Sequence, residues 1–250
     1  MNFMKYFIFI FFPINFISAQ SLNSPLLIAF PEAKPYASSE LVNNGFYPEL
    51  IIEVFNRLNY DIEIIFLPFK RILRMLKEGT LAGAGLVSYD KNREAYLIYP
   101  DQPLYIDNIN LMGLKEGGKI SPFEGIKSLK GVSVGVFRGS QIESELIKND
   151  VDYEPVETIE MSLRMLLANR IDFVISPEVM SKYLLKNRFN RSENNLIEYY
   201  QRPLKYDRHF LTFSKKMPNV KAVSFNFDRT LLSLKADGTY KKIKDKYHLP

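Results

Sequence analysis

Strand-length apolar runs alternate with helix-length amphipathic runs along this chain, and the alternation is laid down twice. Residues 26–30 are a short apolar run leading into a proline-rich turn at 31–36. Pro48 stands where a first helical turn tolerates it, and Leu50, Ile51, Val54, Phe55 and Leu58 follow at the spacing of one helical face. Residues 62–66 read as a second strand. Residues 69–78 read as a helix with Ile72, Leu73, Met75 and Leu76 inside, stopped by Gly79. The small apolar residues 81–87 read as a third, buried strand. Two successive β-α-β units demand parallel strands and right-handed crossovers. A second series has strands at 109–114, 132–136, 151–156 and 171–175, a loop at 116–122, and helices opening at Gln141, Thr158 and Pro177. A strand at 210–213, a helix over 220–234 and a last helix after Gly238 make a tail too small for a core of its own, so it must pack back onto a lobe already built. The expectation is an α/β protein of two lobes.

The first 19 residues read as a secretion signal. Lys5 is the positive charge, residues 6–17 are almost all apolar with Pro13 and Asn15 inside, and Ser18 and Ala19 are small residues at the expected cleavage point. An uncleaved N-terminal anchor is the competing reading; the run is short for a bilayer span and carries a proline. Cleavage near Ala19 predicts a periplasmic protein of about 230 residues, enough for two modest cores. The chain has no cysteine, which excludes disulfides, thiolate metal sites and a lipid on an N-terminal cysteine. Its two histidines, His209 and His248, are far apart in sequence, so a metal site has little support, and nothing calls for a cofactor. The formal charge is +5; loss of Lys5 with the leader, which holds no acid, leaves +4. The cations are scattered among acids without a basic run, which argues against a nucleic-acid surface and supports at most a weak preference for anions.

Several positions offer ligand chemistry, each beside a plainer reading. At Gly139-Ser140 a strand gives way to a helix, where backbone N–H groups, the helix dipole and the Ser140 hydroxyl suit a carboxylate or phosphate; a simple N-cap needs the same residues. Arg93 lies in a first helical turn capped by Asp90. Its planar fork suits a carboxylate, while pairing with Asp90 or Glu94 on the surface is the alternative. Ser88 is either a ligand hydroxyl or a polar strand end. Tyr36, Tyr89 and Phe137 are candidate cleft walls, although a chain with 15 tyrosines packs most of them. Arg71 opens a helix, where a cation opposes the dipole, and either serves a ligand or pairs with a nearby acid. Arg138, beside Gly139, adds charge to a cleft or is solvated.

A series of segments in fixed order carries a family resemblance: Lys34-Pro35-Tyr36, then Gly45 to Ile51, Leu67 to Arg71, and Lys77-Glu78-Gly79. Tyr89 to Glu94, Tyr99-Pro100 and Pro103-Leu104-Tyr105 follow. Leu129-Lys130-Gly131, Gly139-Ser140, Asn169 to Asp172 and Lys235 to Tyr240 complete it. Together they resemble the periplasmic solute-binding proteins of polar-amino-acid ABC importers, family 3 of the bacterial extracellular solute-binding proteins, over nearly the whole mature chain. The resemblance implies two α/β lobes joined by a hinge of two crossing strands (type II-like), one lobe at 20–107 plus 207–250 and the other at 108–206. It implies a ligand carboxylate held by Arg93 and by Gly139-Ser140, and an inner-membrane permease as partner of a monomeric binding protein. The chain departs from the family at the acid that receives a ligand ammonium: Pro177 falls there, Glu178 is one residue along, and near Phe30 and Ala33 only Glu32 offers a substitute. The carboxylate clamp reads as retained and the ammonium site as lost or rebuilt.

The leading expectation is therefore the non-enzymatic capture of a small polar or anionic solute by hinge closure. A sensor reporting ligand in trans is the second reading. A small dehydratase or lyase on the same fold is the third, although no Ser/His/Asp, Cys/His or placeable carboxylate pair supports catalysis.

Overall fold

A computed structural model describes residues 25–117, 123–200 and 202–249, so the leader and part of the 116–122 loop lie outside the described residues. The strands are β1 Leu26–Phe30, β2 Ile62–Phe66, β3 Gly83–Ser88, β4 Leu97–Ile98, β5 Tyr105–Leu114, β6 Val134–Phe137, β7 Tyr153–Val156, β8 Phe173–Pro177, β9 Ile197–Tyr199 and β10 Lys205–Ser214. The helices are α1 Phe46–Arg57, α2 Phe69–Glu78, α3 Gln141–Lys148, α4 Ile159–Leu167, α5 Glu178–Arg188, α6 Arg191–Leu196, α7 Val220–Ala236 and α8 Thr239–Lys246.

One sheet runs β2-β1-β3-β10-β5-β8-β6-β7, with β4 paired to β10 and β9 to β5. Parallel pairing joins β1 to β2 and β3, and β6 to β7 and β8, which is the β-α-β pattern expected on each side. The two halves meet at β5 and β10, an antiparallel pair from Lys205↔Ile109 to His209↔Tyr105. Each of these strands is ten residues long, longer than the 109–114 and 210–213 runs. The polar residues Asp107, Asn108, Asp207 and Arg208 hide the extension from an apolar pattern, yet their backbone is paired. In the same way β8 runs to Pro177, which pairs with Ile109 at the strand's last position, where the missing proline N–H is tolerated.

Local chemistry sets most helix ends. Gly79 ends α2 at φ 82°, a left-handed conformation that glycine adopts without strain. Ser140 and Thr158 cap α3 and α4 by accepting the Glu143 and Met161 N–H groups. Helix α6, which no apolar period announces, begins with a reciprocal capping box between Asn190 and Glu193.

The apolar clusters sort by half. One gathers Phe30, Phe46, Tyr47 and Phe55 with Phe213, Phe227, Leu231 and Leu249, so the tail does pack onto the N-terminal half. Phe227 is fully buried, with its ring centroid 5.9 Å from those of both Phe55 and Phe213; such a side chain contributes about 1.5–3 kcal/mol. The middle of the chain builds two further clusters on either face of β5, β6 and β8. Among the described residues no helix is long and apolar enough to cross a membrane.

Candidate functional site

Between the halves lies a cavity of about 100 Å³. The N-terminal half and β10 supply Glu32, Ala33, Tyr36, Phe69, Leu86, Ser88, Arg93, Asp207 and His209. The middle half supplies Val136, Phe137, Ser140, Gln141, Thr158, Ile159, Ile175, Ser176, Pro177 and Met180. A larger groove of about 700 Å³ is lined by Tyr105, Asp107, Asn108, Glu178 and Lys182 among others. The smaller cavity is the better candidate because it holds the buried guanidinium and is walled by the ends of β3, β6 and β8.

Arg93 is buried there, its side chain 7% exposed. Asp90 caps the short 3₁₀ turn that carries it, accepting the Asn92 N–H at 2.9 Å. The guanidinium Nη2 donates across the cleft to the Gly139 carbonyl at 2.8 Å and Nη1 to the Ser88 carbonyl at 3.4 Å, while Nε lies 3.6 Å from Asp90. The Phe69 ring lies under it, 5.5 Å from centroid to guanidinium carbon. The exposed-surface reading of Arg93 is thus incorrect. It is a buried, planar cation tying one half to the other, with donor capacity left over.

The Gly139-Ser140 turn differs from expectation. Its N–H groups are not free: Gly139 donates to the Glu143 carboxylate, and Ser140 donates to the Phe137 carbonyl at 3.1 Å. The Ser140 oxygen accepts the Glu143 N–H at 3.2 Å. Glu143, in the first turn of α3, has taken the place an anion would occupy, as a side-chain carboxylate at a helix N-terminus favours. What faces the cavity is the Ser140 side chain, with the Gly139 carbonyl turned toward Arg93.

Ser88, Phe137 and Tyr36 also line the cavity. Tyr36 is fully buried and its hydroxyl donates to Asp107, so it is chiefly a core tyrosine with one edge on the cavity. Four other positions are not brought to it. Tyr89 is 43% exposed and donates to Glu94 at 2.6 Å. Arg71 is exposed on α2 with no side-chain partner among the described residues. Arg138 turns to the Pro155 carbonyl at 2.9 Å and to Glu157, 2.7 Å from its Nε but out of line with the N–H. Glu178 lines the larger groove, accepting from Asn108 at 2.8 Å and pairing with Lys182, and those bonds hold its carboxyl below the usual value.

The model of the bacterial extracellular solute-binding proteins, family 3, matches residues 29–250. The chain belongs to that family. Its fold is shared with the GluR0 ligand-binding core from Nostoc punctiforme in complex with L-glutamate (TM-score 0.75, 20% identity, 90% of this chain and 100% of that one). It is shared too with a histidine kinase sensor domain with similarity to periplasmic binding proteins (0.77, 17%, 90% and 96%). A third is an ancestral arginine-binding protein bound to arginine (0.74, 18%, 90% and 99%). No curated protein matches the chain. The family and these neighbours are two-lobed binding proteins rather than enzymes.

In this solute-binding protein the polar floor of the cavity comes from the hinge strand, which the sequence reading did not single out. Asp207 accepts from the Ser88 hydroxyl at 2.5 Å and lies 3.5 Å from His209 Nε2, while His209 Nδ1 is 2.8 Å from the Tyr47 hydroxyl. Burial works against an ionised Asp207, but the hydrogen bonds from His209 and Ser88 outweigh it and hold its carboxyl below the ordinary value. Asp107, opposite it on β5, goes the other way: burial pushes it up to about 6. The usable signal was Asp207 and His209 two apart just before the apolar run at 210–213, which puts both on one face of a strand that begins earlier. Leu86 left no signal at all. It holds φ 59° inside β3, opposite the Phe210–Thr212 irregularity of β10, and that kink turns it into the lining. Among the described residues no group of acids and histidines could hold a metal ion.

Proposed function

We propose that this protein captures a small, carboxylate-bearing, amino-acid-like solute in the periplasm and delivers it to an inner-membrane ABC permease. In this reading residues 20–107 plus 207–250 form one lobe and 108–206 the other, and the exported monomer lacks its first 19 residues. The observation that carries it is Arg93, a buried guanidinium on the wall of the cavity between the halves, bonded across the cleft to a carbonyl. A ligand carboxylate is a stronger acceptor than that carbonyl. Entering from the open state, it takes the remaining N–H donors of Arg93, with the Ser140 hydroxyl, whose proton is free, as a further partner. Closure then follows from greater affinity for the closed state, and the solute leaves unchanged. The test is a thermal-shift screen of small amino acids and carboxylates against the wild type and Arg93→Ala. One class should raise the wild-type melting temperature and not that of the variant; a ligand bound equally by both removes Arg93 from the site.

A sensor reading has one observation of its own, the likeness to a histidine kinase sensor domain. Deleting the gene separates the two: loss of ligand uptake supports delivery to a permease, and intact uptake with a lost transcriptional response supports sensing.

A further inference from the structure

The cavity is walled unevenly by charge. Arg93 is its guanidinium, and Asp90 lies 3.6 Å behind it. Glu32 and Asp207 are its carboxylates. Glu32 stands at the exposed rim and accepts the Ser39 hydroxyl at 2.6 Å. Asp207 lies deeper, its side chain 13% exposed. Its Oδ2 takes both the Ser88 hydroxyl and the His209 contact, and Oδ1 has no donor among the described residues. His209 is engaged at both ring nitrogens, to Tyr47 and to Asp207. The opposite wall, with Ile159, Ile175, Pro177 and Met180, has no charge to offer.

Asp207 Oδ1 is not sealed off, so a donor that enters the cavity can reach a carboxylate oxygen that no protein donor holds. Resting on the reading that a solute is captured in this cleft, we propose that Asp207 receives its positively charged end, a protonated amine. Ser88 ties the two charged groups together. Its carbonyl accepts from Arg93 and its hydroxyl donates to Asp207. Arg93 and Asp207 are thus both tied to Ser88 on one wall of the cavity, where the two ends of a small zwitterion can meet them. The apolar wall then covers a short aliphatic body. The ligand class is an amine-bearing acid, not a simple carboxylate or phosphate.

The probes are the L-amino acids, each with its deamino carboxylate and its decarboxylated amine; for leucine these are 4-methylpentanoate and 3-methylbutylamine. Melting shifts and calorimetric affinities are measured for the wild type and Asp207→Asn, with circular dichroism to confirm folding. At least one amino acid should bind the wild type ten-fold or more tightly than its deamino partner. Asp207→Asn should weaken that amino acid at least ten-fold and change its deamino partner less than two-fold. Equal binding of acid and amino acid by the wild type, or an amino acid unaffected by Asp207→Asn, overturns the role of Asp207 and leaves capture standing. If no probe stabilises the wild type, capture of an amino-acid-like solute falls as well. Should Asp207→Asn not fold, the wild-type comparison of matched probes decides alone.

Discussion

The two walls of the cleft are built on different principles. On the N-terminal side the functional groups are polar, and each is held from behind: Arg93 by Asp90 and Phe69, Asp207 by Ser88 and His209, His209 by Tyr47. On the other side Val136, Ile159, Ile175, Pro177 and Met180 present apolar surface among the uncharged polar residues Ser140, Gln141, Thr158 and Ser176. A charge recognises a ligand only when its own geometry is fixed by neighbours, whereas an apolar wall needs only shape and exclusion of water. On the proposed reading the N-terminal wall sets which solute is chosen, and the opposite wall supplies the surface whose burial favours closure.

The sharpest way to break this division is Arg93→Ala. If the polar wall selects, losing a buried charged donor costs about 3 kcal/mol of binding, or a fall of about 100-fold in affinity for whichever probe stabilises the wild type. Arg93→Lys keeps the charge but not the fork and should recover only part of the loss. Calorimetry on the three proteins decides; a loss under ten-fold moves selection to the other wall.

The sequence made the regular parts of both walls legible for a physical reason. Helix α2 ends at Gly79 and β1 and β2 keep their bounds because propensity, period and punctuation agree there. Arg93 was legible as a capped turn, though burial reversed its surface reading, since Gly139 and Phe69, distant in sequence, enclose it together with Asp90. The hinge strands were cut short because pattern reading treats Asp107 and Asp207 as interruptions, while pairing across β5 and β10 depends on backbone groups that side-chain polarity does not report. Glu143 occupying the Gly139 N–H was invisible for another reason: a free helix N-terminus and one closed by its own third residue have the same residue pattern.

Gly139→Ala tests the contact between the walls from the apolar side. Gly139 holds φ 80°, where an L side chain costs about 1–2 kcal/mol. The added Cβ would also meet Lys70 Cγ, on α2 across the cleft, at 3.0 Å. On the proposed closure that contact exists only where the halves meet, so the variant should unfold about 1–2 kcal/mol more easily and shift toward a larger radius in solution scattering. An unchanged radius under loss of stability separates backbone strain from the interlobe contact.

The hinge carboxylates sharpen the comparison within the N-terminal wall. Asp107 binds its proton near pH 6 in the folded chain but only near its ordinary value of 3.8 when unfolded. Between these values the folded state holds more protons, so this group makes the protein more stable as pH falls from 7.5 toward 5, by about 1 kcal/mol. Asp207, held low, contributes stability that is present above the ordinary value and lost only as pH drops through its lower folded one. Asp107→Asn should therefore flatten the denaturant-measured stability between pH 7.5 and 5. Asp207→Asn should leave that slope in place.

The smallest effects come from two helix starts on the apolar wall. Ser140 caps α3 through its side chain, whereas Pro177 begins α5 with none. Ser140→Ala removes one acceptor and should lower stability by about 1 kcal/mol. Pro177 sits at φ −54° and ψ 134°, which an aspartate also adopts, and an aspartate there can accept a free N–H of the first turn and face the dipole. Pro177→Asp should gain a fraction of that cap, up to about 1 kcal/mol, reduced by the greater chain entropy of losing a proline. The same substitution places a carboxylate on the uncharged wall, beside the cavity that Asp207 already serves. If Asp207 alone receives the amine, Pro177→Asp changes stability and leaves the amino-acid preference intact. If the preference for amine-bearing probes rises in Pro177→Asp and persists in the double variant with Asp207→Asn, the amine can be held from either wall, and selection is not confined to the N-terminal one.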